Sequence, residues 1–251
     1  MEQSYKNFRD MGGLVCKDGS RIKNGMIFRS PVLNTDNKSD IDFLEGLGLD
    51  YIIDLRSKEE IKERPDPAVK NCEYIHAPAF DGRKYKYIVV TKMGKLRCIM
   101  LKGKRKAELK QNKLDSYAEM PFSHAYDEIF RAMDAGKHFD FHCTEGKDRT
   151  GIAAFLIELA LGRDEKEIRR EYLLSNEYRP NKDRSWIKYL GVPKSLIEDI
   201  AFCESTHDEL LTLSEKEILK KYADFDEYLE KEFGITEERR EKWRKIYLER
   251  G

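Results

Sequence analysis

The chain has 251 residues and 29.5 kDa, enough for one well-filled core. Basic and acidic residues number 47 each, so the formal net charge is zero and bulk charge predicts no nucleic-acid partner. A hydrophobic share of 40% supports a globular fold over disorder, and no apolar run reaches the ~20 residues of a membrane-spanning helix.

The start, MEQSYKNFRDMGG, carries no apolar leader. Cys16, Cys72, Cys98, Cys143 and Cys203 are odd in number and widely spaced, which fits neither a disulfide framework nor a Cys-X2-Cys metal site. The expectation is a reducing cytoplasmic setting, with no metal and no cofactor.

In chain order, NFRDMGG (residues 7–13) reads as a turn, and MIFRS (26–30) as a short strand stopped by Pro31. Ser39 is the expected N-cap of an amphipathic helix with apolar positions Ile41, Phe43, Leu44 and Leu47, closed by Gly46 or Gly48. Tyr51, Ile52, Ile53 and Leu55 form the short apolar run of a buried parallel strand, and SKEEIKERPDP then gives a charged helical turn ended by Pro65. CEYIHAPAFDG (72–82) predicts a strand running into a loop. A helix follows over 124–137, with Tyr126, Ile129, Phe130 and Met133 on its apolar face, then the strand HFDFHC and a helix over 151–161 stopped at Gly162. From Asp164 onward the pattern is helical.

This alternation predicts an α/β fold with a mainly parallel central sheet flanked by helices, in a single domain over residues 1–251. One segment breaks the rhythm: residues 83–113 hold twelve Lys or Arg and one acid, Glu108. It reads either as a solvated helical insertion or as a basic helical lid over a site for an anionic substrate or against an anionic membrane surface.

The chemistry concentrates in HCTEGKDRTG, residues 142–151. A strand-to-helix turn aims successive backbone N–H groups at one point, and the helix N-terminus adds partial positive charge there, so the loop is an anion cradle sized for phosphate. Cys143 opens it, and a thiol in such a field ionises readily and becomes a nucleophile. Arg149, six residues on, can hold two oxygens of the anion, the Thr150 hydroxyl can reach the sulfur, and Gly146 and Gly151 permit the tight turn. The position where an ATP-binding loop needs a glycine is Phe141, and a sulfurtransferase loop suits phosphate less well. A merely structural buried cysteine does not explain the Gly-Lys-Asp-Arg-Thr-Gly that follows.

His142-Cys143 with Arg149-Thr150 resembles the HCxxxxxR[ST] signature of the protein tyrosine phosphatase superfamily, within the bacterial tyrosine/phosphoinositide branch typified by a mycobacterial secreted phosphatase. NFRDMGG, IFRS, IIDLRS, EYLLSN and YADFDEYLEKEFGIT match further elements of that branch in order, leaving 83–113 as the variable insertion. The resemblance implies a protein-tyrosine-phosphatase-like fold and a metal-free, two-step phosphomonoesterase acting on phosphotyrosine proteins, with possible dual specificity, or on phosphoinositides. Cys143 would form a phosphocysteine, Arg149 and the amides of Thr144, Glu145, Gly146, Lys147 and Asp148 would hold phosphate, and Thr150 would help the thiolate leave. The general acid is Asp81 or Asp148. Lys147 would touch a second anionic group or face solvent. A Glu145 carboxylate aimed into the cradle would repel phosphate, which keeps a catalytically weak phosphate-binding module as the alternative. Arg9, Asp10, Asp54 and Arg56 read as braces, and His142 as a hydrogen-bonding partner of the loop.

Overall fold

The computed structural model of the chain describes residues 6–80, 106–178 and 194–250. Asp81 and residues 83–105 of the basic segment lie outside the described residues.

A five-stranded sheet carries the fold, in the order β1 (Arg9–Asp10), β3 (Ile27–Ser30), β6 (Phe139–His142), β4 (Tyr51–Asp54), β5 (Glu73–His76). Only the two-residue β1 is antiparallel to its neighbour; the other pairings are parallel. The sheet is therefore α/β and mainly parallel, as the alternating pattern requires. A separate two-stranded ribbon pairs β2 (Arg21–Ile22) with β7 (Leu248–Glu249), a strand inside the stretch read as wholly helical.

Strand alternation splits the core in two. Ile27, Ile53, Phe139 and Phe141 face the main cluster, while Phe28 and Ile52 face a smaller one with Phe8, Leu33, Leu44 and Leu49. The smaller cluster sits under α1 (Lys38–Gly46), whose N-cap is Asn37 rather than Ser39. The Asn37 side chain accepts the Ser39 amide, so an amide acceptor two positions earlier in the chain takes the cap. α2 (Lys58–Glu63) starts with a capping box in which Ser57 accepts the Glu60 amide and Glu60 accepts the Ser57 amide.

On the main face lie α3 (Lys106–Glu119), α4 (Asp127–Asp134), α5 (Arg149–Leu161), α6 (Glu165–Leu173), the short α7 (Ser175–Tyr178), α8 (Lys194–Glu204), α9 (Asp208–Leu219), α10 (Phe225–Phe233) and α11 (Glu237–Tyr247). The segment 124–137 opens with a 3-10 turn at His124–Tyr126 before α4 begins. α5 starts two residues ahead of the expected Gly151, and all thirteen of its residues are buried. That burial explains its nearly continuous apolar sequence. α11 locks onto α4 through Trp243, whose indole N–H donates to Asp134 at 2.8 Å, and through the Arg239 fork on the same carboxylate.

The end of the basic segment is helical and packed against the body. Its last residues, 106–113, are the first half of α3, which packs against α8 and α9, and Lys113 is buried. Charge counting placed this lysine with its surface neighbours because burial of a single cation leaves no mark on local composition. No helix among the described residues is long and apolar enough to cross a membrane.

Phe155 lies at the centre of α5, 1% exposed and edge-on to Phe225. Phe155→Ala removes a buried ring and leaves a cavity, so urea unfolding should report a loss of about 3–5 kcal/mol.

Candidate functional site

The register aligns Ser30, Asp54 and His142 at the C-terminal ends of β3, β4 and β6. Cys143 follows at that edge, where parallel sheets present their ligand crevices. Residues 143–148 then curl into the N-terminus of α5.

Trans peptide geometry sets which groups face inward. In each peptide the N–H points opposite to the preceding C=O. The carbonyls of residues 143–146 are all engaged from outside the loop. The Val32 amide donates to Thr144 O at 3.4 Å, and His142 Nδ1 donates to Cys143 O at 3.4 Å. The Asn7 amide donates to Glu145 O at 3.0 Å and Gly146 O at 2.9 Å, and Arg29 Nη2 donates to Gly146 O at 3.1 Å. The amides of residues 144–147 are thereby turned toward the interior of the curl.

Gly146 is required twice over. Its φ is +65°, and a Cβ there would sit 2.6 Å from the Ser30 carbonyl oxygen. Gly151 is required by packing, because a Cβ would approach the Tyr172 ring to 3.0 Å.

Two buried networks hold the curl from behind. Arg29 is fully buried, and that burial with Arg9 nearby lowers its pKa to about 10 against the pull of Glu171. Arg9 donates to Glu171 at 2.9 Å and to Asn7. Asp10 accepts the amides of Gly12 and Gly25 at 2.8 Å each, which ties the turn leaving β1 to the approach to β3. On the other side, Arg56 is held by Asp54 and Asp66, and Asp66 also accepts the Leu33 amide. Arg9, Asp10, Asp54 and Arg56 are thus all placed as braces.

Asp54, Asp66 and His142 offer ligand atoms within 4.8 Å of one another. The Arg56 guanidinium already bridges both carboxylates, so a cation stands in the group and the arrangement is an ion-pair network. Burial disfavours charge on His142, but Asp54 and Asp66 overcome it and raise its pKa to about 9.

Cys143 is 2% exposed. Burial alone would raise its pKa. The Arg149 charge and the hydroxyl and amide of Thr150 outweigh burial and the opposing Asp148 charge, so the thiol is shifted toward thiolate. The Thr150 hydroxyl bonds no nitrogen or oxygen among the described residues. Arg149 is gripped by Glu60 in a bidentate pair, Nη1 to Oε2 at 2.8 Å and Nη2 to Oε1 at 2.7 Å. Thr144 also donates to Glu60, and the Phe80 ring lies 5.0 Å from the Arg149 guanidinium.

Lys147 neither faces solvent nor projects into the curl. It is buried, donates to the Cys203 carbonyl at the end of α8 at 2.7 Å, and lies 3.5 Å from Asp148 and 3.9 Å from Glu145. The Glu145 carboxylate is thus paired with its loop neighbour. Asp148 receives Tyr117 Oη at 2.7 Å and Lys113 Nζ at 2.5 Å. Burial opposes its ionisation, yet Lys113 and Lys147 and the hydrogen bonds from Lys113 and Tyr117 hold its pKa down at about 2.

The fold therefore gathers Cys143, Thr144, Glu145, Gly146, Lys147, Asp148, Arg149 and Thr150 around one curl. It also brings in residues the sequence reading missed: Asn7, Arg29, Glu60, Lys113 and Tyr117. Glu60 had one available signal, its place as the third residue of a capping box after IIDLRS, but nothing local tied it to Arg149.

The description "Tyrosine phosphatase family" matches residues 2–249. A Cupriavidus necator protein with a tyrosine-protein phosphatase name is 31% identical over 176 residues, covering 69% of this chain and 62% of its own length. The triple specificity protein phosphatase PtpB of Mycobacterium tuberculosis is 27% identical over 191 residues, 69% of this chain and 68% of its own. The chain thus spans about two thirds of the length of these curated relatives. The solved structure of P. aeruginosa TpbA in complex with pTyr overlays with a TM-score of 0.30 at 11% identity, covering 78% of this chain and 89% of that one; so low a score adds nothing to the assignment.

Glu60 carries a testable share of this geometry. Its pKa falls from 4.5 to about 2 because Arg149, Thr144 and the Ser57 amide outweigh its burial. A carboxylate depressed in this way stabilises the fold above pH 4.5 and loses that contribution as pH falls toward 2, roughly 3 kcal/mol in all. Glu60→Gln should lose stability at pH 7 and flatten the stability profile between pH 4.5 and 2, measured by urea unfolding across that range.

Proposed function

Because the chain belongs to the tyrosine phosphatase family, we propose that it hydrolyses phosphate monoesters through a phosphocysteine on Cys143. The observation that carries this reading is a buried thiol shifted toward thiolate, at the base of inward-facing amides and beside a clamped Arg149.

In the first step the Cys143 sulfur attacks phosphorus as the bond from phosphorus to the leaving oxygen breaks. Arg149 and the inward amides of residues 144–147 bear the charge that builds on the equatorial oxygens. The leaving oxygen takes a proton from a carboxylic acid. Water then attacks the phosphocysteine, gives a proton back to that carboxylate, and the thiolate leaves with the Thr150 hydroxyl stabilising it. The arginine and amides supply the positive field, so no metal enters the scheme.

We assign the proton to Asp81. Asp148, with a pKa held at about 2 between two lysines, is a poor donor near neutral pH. Asp81, the other candidate and the residue after Phe80 in the sequence, lies outside the described residues, so the assignment rests on the unsuitability of Asp148. The salt-bridged Glu145 favours an active enzyme over the phosphate-binding module, since the feared repulsion is offset by Lys147.

For substrate class we favour phosphotyrosine proteins, with phosphoinositides as the second reading, favoured by the twelve cations between residues 83 and 113. The triple-specificity name of the mycobacterial relative supports testing both, with phosphoserine alongside. Phosphoinositide turnover that falls with added salt while p-nitrophenyl phosphate turnover holds would support the second reading.

In EDTA, wild-type chain should turn over p-nitrophenyl phosphate and Cys143→Ser should not. Absence of wild-type turnover at every pH from 4 to 8 would refute the reading. Asp81→Asn should abolish the high-pH limb of the kcat profile, the limb that reports the protonated donor, whereas Asp148→Asn should retain it. The reverse pattern would move the acid to Asp148.

A further inference from the structure

We infer that Lys113, on the helix that continues the basic segment, is a positioning residue for the catalytic loop that acts through Asp148. This inference rests on the thiolate reading of Cys143 given above.

The geometry is that of a buried, closed cluster. Lys113 is 3% exposed, and its Nζ lies 2.5 Å from Asp148 Oδ1 and 3.5 Å from the Cys203 carbonyl, to which it donates. A buried lysine is costly to maintain unless its charge is matched. The cost shows in its own ionisation, since burial takes its pKa down to about 8 even with Asp148 alongside. Its partner is the residue just before Arg149, at the start of α5. The Asp148 carboxylate does not cap α5 but is held by Lys113 and Tyr117 of α3, so these contacts tie the backbone that carries Arg149 and Thr150 to α3.

The groups facing Asp148 come from every element packed around it. α3 contributes Lys113 and Tyr117, the loop contributes Lys147, α6 contributes Tyr172, whose hydroxyl lies 2.7 Å from that of Tyr117, and α8 contributes the Cys203 thiol, whose pKa burial pushes up to about 11. The groups acting on Cys143 are Arg149, Thr150 and Asp148, with buried Tyr126 and Arg29 also within electrostatic range. Asp148 is the charged group among them that opposes the thiolate. Lys113 screens it.

Two charges of opposite sign one contact apart should therefore move the thiolate in opposite directions. Removing Lys113 leaves Asp148 less balanced and should raise the pH at which Cys143 ionises. Removing the Asp148 charge should lower it. A residue that merely filled space would loosen the loop under both substitutions and shift the thiolate the same way in each.

The measurement is the pH dependence of Cys143 alkylation by iodoacetamide, read by mass spectrometry on the full chain. It does not require turnover, so its failure is distinct from failure of the phosphatase reading. Lys113→Met should move the alkylation midpoint up and slow alkylation about threefold or more below it. Asp148→Asn should move it down, and Lys113→Arg, which keeps the charge, should stay near wild type. A folded Lys113→Met variant with an unshifted midpoint would overturn the inference, as would shifts of the same sign in Lys113→Met and Asp148→Asn. If Lys113→Met does not fold, Asp148→Asn is compared with the double variant lacking both charges: a lysine that acts through Asp148 leaves the two midpoints equal and both below wild type, and a higher midpoint in the double variant than in Asp148→Asn overturns the inference.

Discussion

The site depends on a constraint of the planar peptide: amides cannot all turn inward unless their paired carbonyls find donors outside. Here three of the four donors come from far along the chain, and the fourth, His142, precedes the loop directly. Asn7, Arg29, Val32 and His142 each take one or two carbonyls of residues 143–146. Asn7 itself adopts a left-handed backbone at φ 80°, a conformation asparagine tolerates better than most residues. The N-terminal NFRDMGG segment is thus part of the loop's support without facing its interior. Unmet buried carbonyls would each cost about 1–3 kcal/mol, enough to let the loop relax into another shape.

Charge is treated in the same way. Arg149 with Glu60, Arg56 with Asp54 and Asp66, Arg9 with Glu171, and Lys113 with Asp148 are buried cations that each have a carboxylate in contact. Such pairs contribute little net stability, because desolvation offsets most of the attraction. What they supply is geometry, since removing either partner strands the other. The inward amides and the start of α5 then add directed positive potential to that of Arg149.

The sequence was informative where the chemistry is contiguous. Cys143 through Thr150 sit within eight positions, and the glycines, thiol and arginine have separable physical roles that can be read without a structure. The alternation of strands and helices was legible for the same reason, since each element is local. The braces at Asp10, Asp54 and Arg56 were read correctly as structural, though not what they brace. Glu60 and Lys113 were opaque because their meaning lies in partners 89 and 35 positions away. In a chain with 94 charged residues, composition does not say which few are buried.

β6 lies at the centre of the sheet, between β3 and β4, although more than eighty residues follow β4 before it is reached in the chain. During synthesis the earlier strands emerge first and have no shared neighbour until β6 slots between them. The cradle is the immediate continuation of that last-placed central strand. A nascent or misassembled chain therefore carries Cys143 as an ordinary thiol, without the assembled loop around it. The shift of Cys143 toward thiolate depends on Arg149 and Thr150 in their folded positions, so it arises only when the sheet closes and marks completed assembly.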